Sequence, residues 1–217
     1  MKRLVEEYNR LYPNYASTGV VEVDYTFDET SNSGRLDTFQ HLTVNGMNGI
    51  VIPNVIVKDD TSIFQKAGSN VILKEDCDGI FLTKQDGQKY IYLCELKSSF
   101  STQQISKAKN QIIGSYLKLH SLLSLLQSYN PTEWTVKGII ASFAPNEEQK
   151  AYLLRQKEAG DKVGNFCYNL HRDKRYHMPK VDCWNFHFPM NVPELTLHYI
   201  SIPDKSTKFA VDFDSLK

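Results

Sequence analysis

Long apolar runs, an excess of charge of either sign and a dense set of cysteines are all missing from this chain of 217 residues. No apolar stretch approaches the roughly 20 residues that cross a bilayer as a helix, and the Lys2-Arg3 start has no long apolar segment behind it. Twenty-five basic residues balance 25 acidic ones, so any nucleic-acid site has to be a local patch on a neutral protein. Four cysteines, Cys77, Cys94, Cys167 and Cys183, are too sparse for a disulfide framework. Asn-X-Ser/Thr occurs only with an intervening Pro, and no repeat period is visible. These absences predict a soluble, cytoplasmic protein with reduced thiols. The composition, 41% hydrophobic and 23% charged, is that of an ordinary globular protein. The length suits one domain over 1–217, with a core over about 1–145 and a C-terminal extension over about 146–217.

What is present is organised around residues 78–97. Two runs rich in β-branched and aromatic residues, Gly79–Thr83 and Tyr90–Leu96, flank Asp86-Gly87. Asp-Gly between such runs predicts a two-residue hairpin turn, because a type I′ turn needs φ > 0 at both central residues. Gln85 then pairs with Gln88, and carrying that register outward sets Asp78 opposite Glu95. Opposed residues share a face with Cβ atoms about 4.5–5.5 Å apart, and Lys97, two residues beyond Glu95, points the same way. That face also carries Ile80 against Leu93 and Leu82 against Ile91. The other carries Phe81, Tyr90 and Tyr92, so the pair belongs in the middle of a covered sheet. The register sets Cys77 and Cys94 diagonally on the face opposite the acids, as small apolar groups. Two carboxylates at the rim of a buried sheet repel one another and lose hydration, and they need a cation to stay ionised. Lys97 supplies one charge. A hard divalent ion with oxygen ligands suits two carboxylates better, and Mg²⁺ is the default. The alternative is a solvated strand end with a salt bridge from Lys97 to Glu95 or Asp78.

An Asp, a spacer across a hairpin and then Glu-X-Lys, here Asp78, Glu95, Leu96 and Lys97, resembles the signature of the PD-(D/E)XK nuclease superfamily. Cys77 stands where the Pro of that pattern would be. The resemblance implies an α/β protein of restriction-endonuclease-like fold, a mixed central β-sheet flanked by helices with an αβββαβ core. It implies Mg²⁺, with Mn²⁺ able to substitute, held by Asp78, Glu95 and the backbone carbonyl of Leu96. It assigns to Lys97 the orientation or polarisation of the attacking water. The implied activity is phosphodiester hydrolysis with DNA as the nucleic-acid partner, and such enzymes often work as homodimers. In some branches a Gln followed by a Tyr on the next helix helps to build the site. Gln111 is similar to the first of these, whereas Tyr116, one residue too far along, reads as core. Many relatives add an acid from their first helix, which points to Glu6 or Glu7, against a plain surface role for both. The competing reading is a catalytically inactive relative that keeps the fold as a nucleic-acid or protein binding module.

Around the hairpin, Leu4, Val5, Tyr8, Leu11 and Tyr12 recur at helical spacing and predict an amphipathic helix over 1–12 that packs on the sheet. Residues 14–39 read as a loop with one short strand, Val20–Tyr25. Residues 40–57 read as strands with tight turns at Asn45-Gly46 and Asn48-Gly49, interrupted by Pro53. A loop and a short segment near Ile63–Ala67 follow. Ser101 with Gln104 makes a capping-box pattern, and Ile105, Ala108, Ile112, Tyr116, Leu119 and Leu123 carry a helix to about Ser128, its first turns beside the acids. Lys107 and Gln111, at i and i+4, share its other side and read either as site-facing or as an ordinary wet face.

Trp134–Phe143 is predicted as the strand completing a βαβ step, 146–159 as a helix with its acids first, and Leu195–Ile202 with Lys208–Phe213 as a closing C-terminal hairpin. Residues 171–180 are the most basic stretch and read as a loop. Its Arg172, Lys174 and Arg175, together with Lys107, either hold a phosphate backbone or are ordinary surface polarity. Cys167, His171, His177 and Cys183 invite a zinc reading, but their gaps fit no familiar ligand pairing.

Overall fold

Asp86 and Gly87 adopt φ of 48° and 85°, the left-handed values that a tight hairpin demands, and join β3 (Gly79–Gln85) to β4 (Gln88–Lys97). The computed structural model describes residues 1–17, 21–28, 41–58, 72–181, 194–203 and 207–216. The register is the one the turn predicts: Gln85 opposes Gln88, Ile80 opposes Leu93, and the ladder closes with Gly79 against Cys94. The expected segment near Ile63–Ala67, and Cys183, lie outside the described residues.

The hairpin sits inside a mixed sheet that counts eight strands among the described residues. β1 (Val21–Asp28) and β2 (His41–Ile52) extend it antiparallel on the β3 side. On the β4 side β5 (Trp134–Phe143) and then β7 (Leu195–Ile202) add in parallel, and β6 (Arg175–Met178) pairs antiparallel with β7. The helices are α1 (Lys2–Leu11), the single turn α2 (Val55–Lys58), α3 (Thr102–Leu123), α4 (Glu147–Glu158) and α5 (Lys162–Asp173). The class is therefore α/β, a mixed sheet flanked by helices.

Alternation along each strand divides the core into two layers. Ile91 and Leu93 of β4 face the helices together with Leu4, Tyr8, Ile112, Leu119, Leu153, Phe166 and Leu197. Tyr92, Cys94 and Leu96 face the other way, onto Phe27, Leu42, Val44, Phe81, Ile139, Phe213 and Leu216. Glu95 and Lys97 continue the parity of Leu93, so the acid end of β4 points to the helical side. The two cysteines are a correction to the hairpin reading. Cys94 belongs to the layer opposite the helices, but Cys77 lies with the helical layer, because it precedes the ladder and strand parity no longer governs it.

The Asn-Gly pairs are not turns. β2 runs unbroken through both, and Gly46, at φ 66°, forms a bulge: Asn45 and Gly46 stand against the single residue Asp24. The Asp24 carboxylate accepts the Gly46 N–H at 2.9 Å. One inserted residue flips the phase of the strand, so Leu42 and Val44 face the layer opposite the helices while Ile50 and Ile52 face the helices. Beyond Pro53, Val55–Lys58 is a helical turn, where a strand was expected.

The C-terminal strands are not a hairpin either. β7 is buried on both faces, with Leu195, Leu197 and Tyr199 on the helical side and Ile200 and Ile202 on the other, so it belongs inside the sheet between β5 and β6. β8 (Lys208–Asp212) instead pairs in parallel with His41–Asn45 of β2. Residues 171–180 are likewise not a loop: they are the last turn of α5, a left-handed residue at Lys174 and the strand β6.

Gly79 next to Asp78 is required by close approach. A Cβ there would lie 1.9 Å from the Phe27 ring, which crosses the strand and stacks on Phe81. Gly79→Ala is expected to cost about 1–3 kcal/mol through overpacking, with partial recovery in Gly79→Ala/Phe27→Leu. Urea denaturation of both variants is the measurement, and an unchanged midpoint for the single variant contradicts the packing described.

Candidate active site

At the rim where β3 begins, the Asp78 N–H bonds the Cys94 carbonyl at 2.9 Å, so Asp78 sits just past the last ladder pair. Its carboxylate then takes the place of the missing strand and accepts the Leu96 N–H at 2.8 Å. A strand residue presents its N–H and C=O to the same edge, so the Leu96 carbonyl is directed to the side where Asp78 stands. The Asn54 side chain, at the end of β2, donates to the Asp78 carbonyl at 2.8 Å and fixes this corner from the opposite side.

Glu95 is 1% exposed and Lys97 8%. The Lys97 ammonium contacts Glu95 Oε1, while Glu95 Oε2 is buried with no hydrogen-bond partner. Burial and the charge of Asp78 hold the Glu95 carboxyl well above its ordinary value, and Lys97 and Lys58 only partly offset this. Asp78 is raised as well, by burial, against the pull of the Leu96 N–H, the charges of Lys97 and Lys58, and the Glu95 carboxyl. The pair therefore behaves as two coupled acids, with Glu95 the more reluctant to ionise. Asp78 also borders an open cleft of about 270 Å³ whose other walls include Thr26, Asp28, Pro53 and Asn54.

Alpha-helix α3 braces the segment that carries Asp78. Ser101 caps it by accepting the Gln104 N–H at 3.2 Å. Gln111 donates to the Asp76 carbonyl at 2.8 Å, Ser115 Oγ accepts the Cys77 N–H at 2.8 Å, and the buried Lys118 ammonium pairs with the Asp76 carboxylate. Gly114 lets the chain come this close, since a Cβ there would fall 2.3 Å from the Ile72 carbonyl oxygen. Gln111 thus grips the backbone two residues ahead of Asp78, as a positioning residue. Tyr116 is core, as expected.

The remaining expected residues scatter. Lys107 is exposed and borders a separate groove with Thr102, Gln103, Ser106, Asn110 and Val163. Arg172 forks onto Asp173 at 2.6 and 2.7 Å. Lys174 lies over the Tyr199 ring at 4.7 Å on the helical side, whereas Arg175 opposes His198 and so takes the other face. These four cations do not form one patch. Glu7 is occupied by Arg3 and by the Ser128 N–H and hydroxyl, and Glu6 is exposed. His171 meets Phe100 and Tyr199 in T-shaped contacts, and His177 reaches Thr196 and Glu194. Lys58, Asn54, Ser115 and Lys118 were not anticipated. Asn54 follows a Pro, a weak turn signal, and the other three carry no local signal at all.

Oxygen donors from Asp78, Glu95 and the Leu96 carbonyl are the chemistry that a hard dication takes, and no N–H donates to the buried Glu95 Oε2. Among the described residues no group of three or more His, Cys, Asp and Glu stands together as a metal site. No described helix is long and apolar enough to cross a membrane. Compared with protein-family models, with curated proteins and with solved structures, the chain matches none.

Proposed function

We propose that this chain is a Mg²⁺-dependent nuclease of the restriction-endonuclease-like kind, hydrolysing phosphodiester bonds in DNA at Asp78, Glu95 and Lys97. The observation that carries the reading is the acid pair: two carboxyls held together at a buried rim, one oxygen left without a partner. Such an arrangement opposes folding unless a cation relieves it, which is the mark of a functional site. Asp78, Glu95 and the Leu96 carbonyl would hold the ion. Bound Mg²⁺ supplies charge neutralisation on a phosphoryl oxygen and a more acidic water. Lys97, beside them, orients the attacking water and shares the developing negative charge. Lys58 adds a second positive charge to the same corner. DNA follows from the resemblance of the Asp…Glu-X-Lys pattern.

A second reading, an inactive binding module on the same scaffold, is favoured by the Lys97–Glu95 contact, which already gives one acid an internal counter-ion. Calorimetry with Mn²⁺ and cleavage of plasmid and single-stranded DNA separate the two. The nuclease reading expects saturable ion binding that Asp78→Ala abolishes, and cleavage that stops with EDTA. Neither ion binding nor cleavage in the wild type leaves the binding module.

A further inference from the structure

Lys97 stands between two strands that offer it different neighbours. Asp78 lies on the β3 side, and on the β5 side its ladder partner is Ser142. We propose that Ser142 is a positioning residue for Lys97. Its hydroxyl oxygen receives the ammonium when a dication takes over Glu95, and it holds Lys97 where the attacking water is oriented. The transfer from Glu95 to Ser142 rests on the nuclease reading above, whereas the bond between Lys97 and Ser142 does not.

Strand parity puts both side chains on the helical side. Ile140 of β5 faces the helices, so Ser142 does too, as Glu95 and Lys97 do on β4. Neighbouring strands lie about 4.8 Å apart, a gap that the four-carbon stem of lysine spans. Ser142 is 0% exposed, so water does not compete for its hydroxyl. Ile139, Ile140 and Ala141 precede it in a buried strand, where a hydroxyl adds nothing to packing that alanine would not.

Counting donors and acceptors leaves that hydroxyl a place for an ammonium. A serine hydroxyl has one proton and two lone pairs. Ser142 Oγ donates to the Phe143 carbonyl at 2.9 Å. The Tyr199 hydroxyl stands 3.2 Å from both Ser142 Oγ and that carbonyl, and so fixes the serine from the β7 side. Whichever of the two takes the phenolic proton, at least one lone pair of Ser142 Oγ stays open. An ammonium has three protons, and the contact with Glu95 Oε1 uses one.

Asp78 and Ser142 flank Lys97 from opposite edges of β4. With a dication held by Asp78 and Glu95, the Glu95 charge is no longer free for Lys97, and like charge drives the ammonium off Oε1. The Ser142 lone pair lies on the side away from the ion and keeps the ammonium in the site. The internal Lys97–Glu95 contact and metal binding are then compatible, because the lysine has a second partner.

The ammonium proton NMR signals, with Lys97 assigned by its loss in Lys97→Met, test this apart from cleavage. In the metal-free wild type Glu95 holds the ammonium, and Ser142→Ala is expected to leave its signal in place. In Glu95→Leu the signal is expected to persist at a new position. It should vanish in Glu95→Leu/Ser142→Ala and return in Glu95→Leu/Ser142→Thr. A signal that survives in Glu95→Leu/Ser142→Ala, or is lost already in Glu95→Leu, overturns the assignment. On titration with Mg²⁺ the wild-type signal should move saturably towards its position in Glu95→Leu, and in Ser142→Ala it should disappear as the ion binds. Cleavage by Ser142→Ala is expected to lose about tenfold or more in kcat, with KM and Mg²⁺ affinity within about twofold of the wild type. Ser142→Thr should recover most of that loss. The same Mg²⁺ response in Ser142→Ala as in the wild type overturns the transfer and leaves the metal site standing. No Mg²⁺ response in the wild type, with the Glu95→Leu series as expected, keeps Ser142 as a partner of Lys97 and removes the nuclease reading.

Discussion

Glu95→Gln is expected to silence metal-dependent cleavage by at least about 100-fold while the metal-free variant melts several degrees above the wild type at pH 7.5. The two effects have one origin. The Glu95 carboxyl, ordinarily ionising near 4.5, is held higher in the folded protein by burial and by Asp78. Across the window from about 4.5 up to the folded value, the unfolded chain has released a proton that the folded chain keeps. Stability therefore falls as pH rises through that window, and above it the full cost of the buried carboxylate is present. Glutamine keeps the shape and never ionises, so the two proteins should melt together near pH 4.5 and diverge as pH rises. For a chain of this size each kcal/mol corresponds to about 2–4 °C. Saturating Mn²⁺ should close the gap by stabilising the wild type alone, by an amount that grows with ion concentration. Thermal melts of both proteins from pH 4.5 to 8, with and without Mn²⁺, make the measurement. A variant that melts below the wild type at pH 7.5 would mean that the Lys97 contact outweighs burial and that no cation is wanted there.

The acid pair was legible because its geometry is local. Asp86-Gly87 fixes the turn, the turn fixes the register, and eight residues further out the register brings Asp78 to Glu95. Even so the approach is not simple opposition, since Asp78 leaves the ladder and reaches Leu96 with its carboxylate. Asn45-Gly46 shows the limit of such signals: Asn-Gly marks a left-handed glycine, and a hairpin turn and a bulge both need one. β7 was legible as a strand but not as a neighbour of β5, because apolar residues on both parities say only that a strand is covered on both faces. Its partner is decided by a crossover more than 50 residues long. The basic residues 171–180 misled for another reason, since charge alone does not say which face a side chain takes, and the left-handed turn at Lys174 sends it and Arg175 to opposite sides. The braces on Asp76 and Cys77 lie 35 to 42 residues away in sequence, beyond any periodicity.

Asp76→Ala is expected to be strongly destabilising. Lys118 is fully buried in the C-terminal third of α3, and its ammonium pairs with the Asp76 carboxylate. Removing one member of a buried pair typically costs about 3–5 kcal/mol, because the other charge stays behind without a partner, and for this chain length that is roughly 6–20 °C in melting temperature. The opposite change is expected to be milder. Lys118→Met leaves an acid whose side chain is 16% exposed and can recover some hydration, while the thioether fills the space of the lysine stem. Asp76→Ala/Lys118→Met should then recover most of the loss, giving a large favourable coupling in a double-mutant cycle. The consequence for the site is separate from stability. Asp76 is two residues before Asp78, and its carbonyl is also the acceptor of Gln111. In the double variant the fold is restored while the Asp78 segment has lost one of its three ties to α3, so Mn²⁺ affinity should fall even where the melting temperature does not. Denaturant midpoints and calorimetry on the four proteins of the cycle give both readouts. A loss below about 1 kcal/mol for Asp76→Ala would place Lys118 in water and undo the brace.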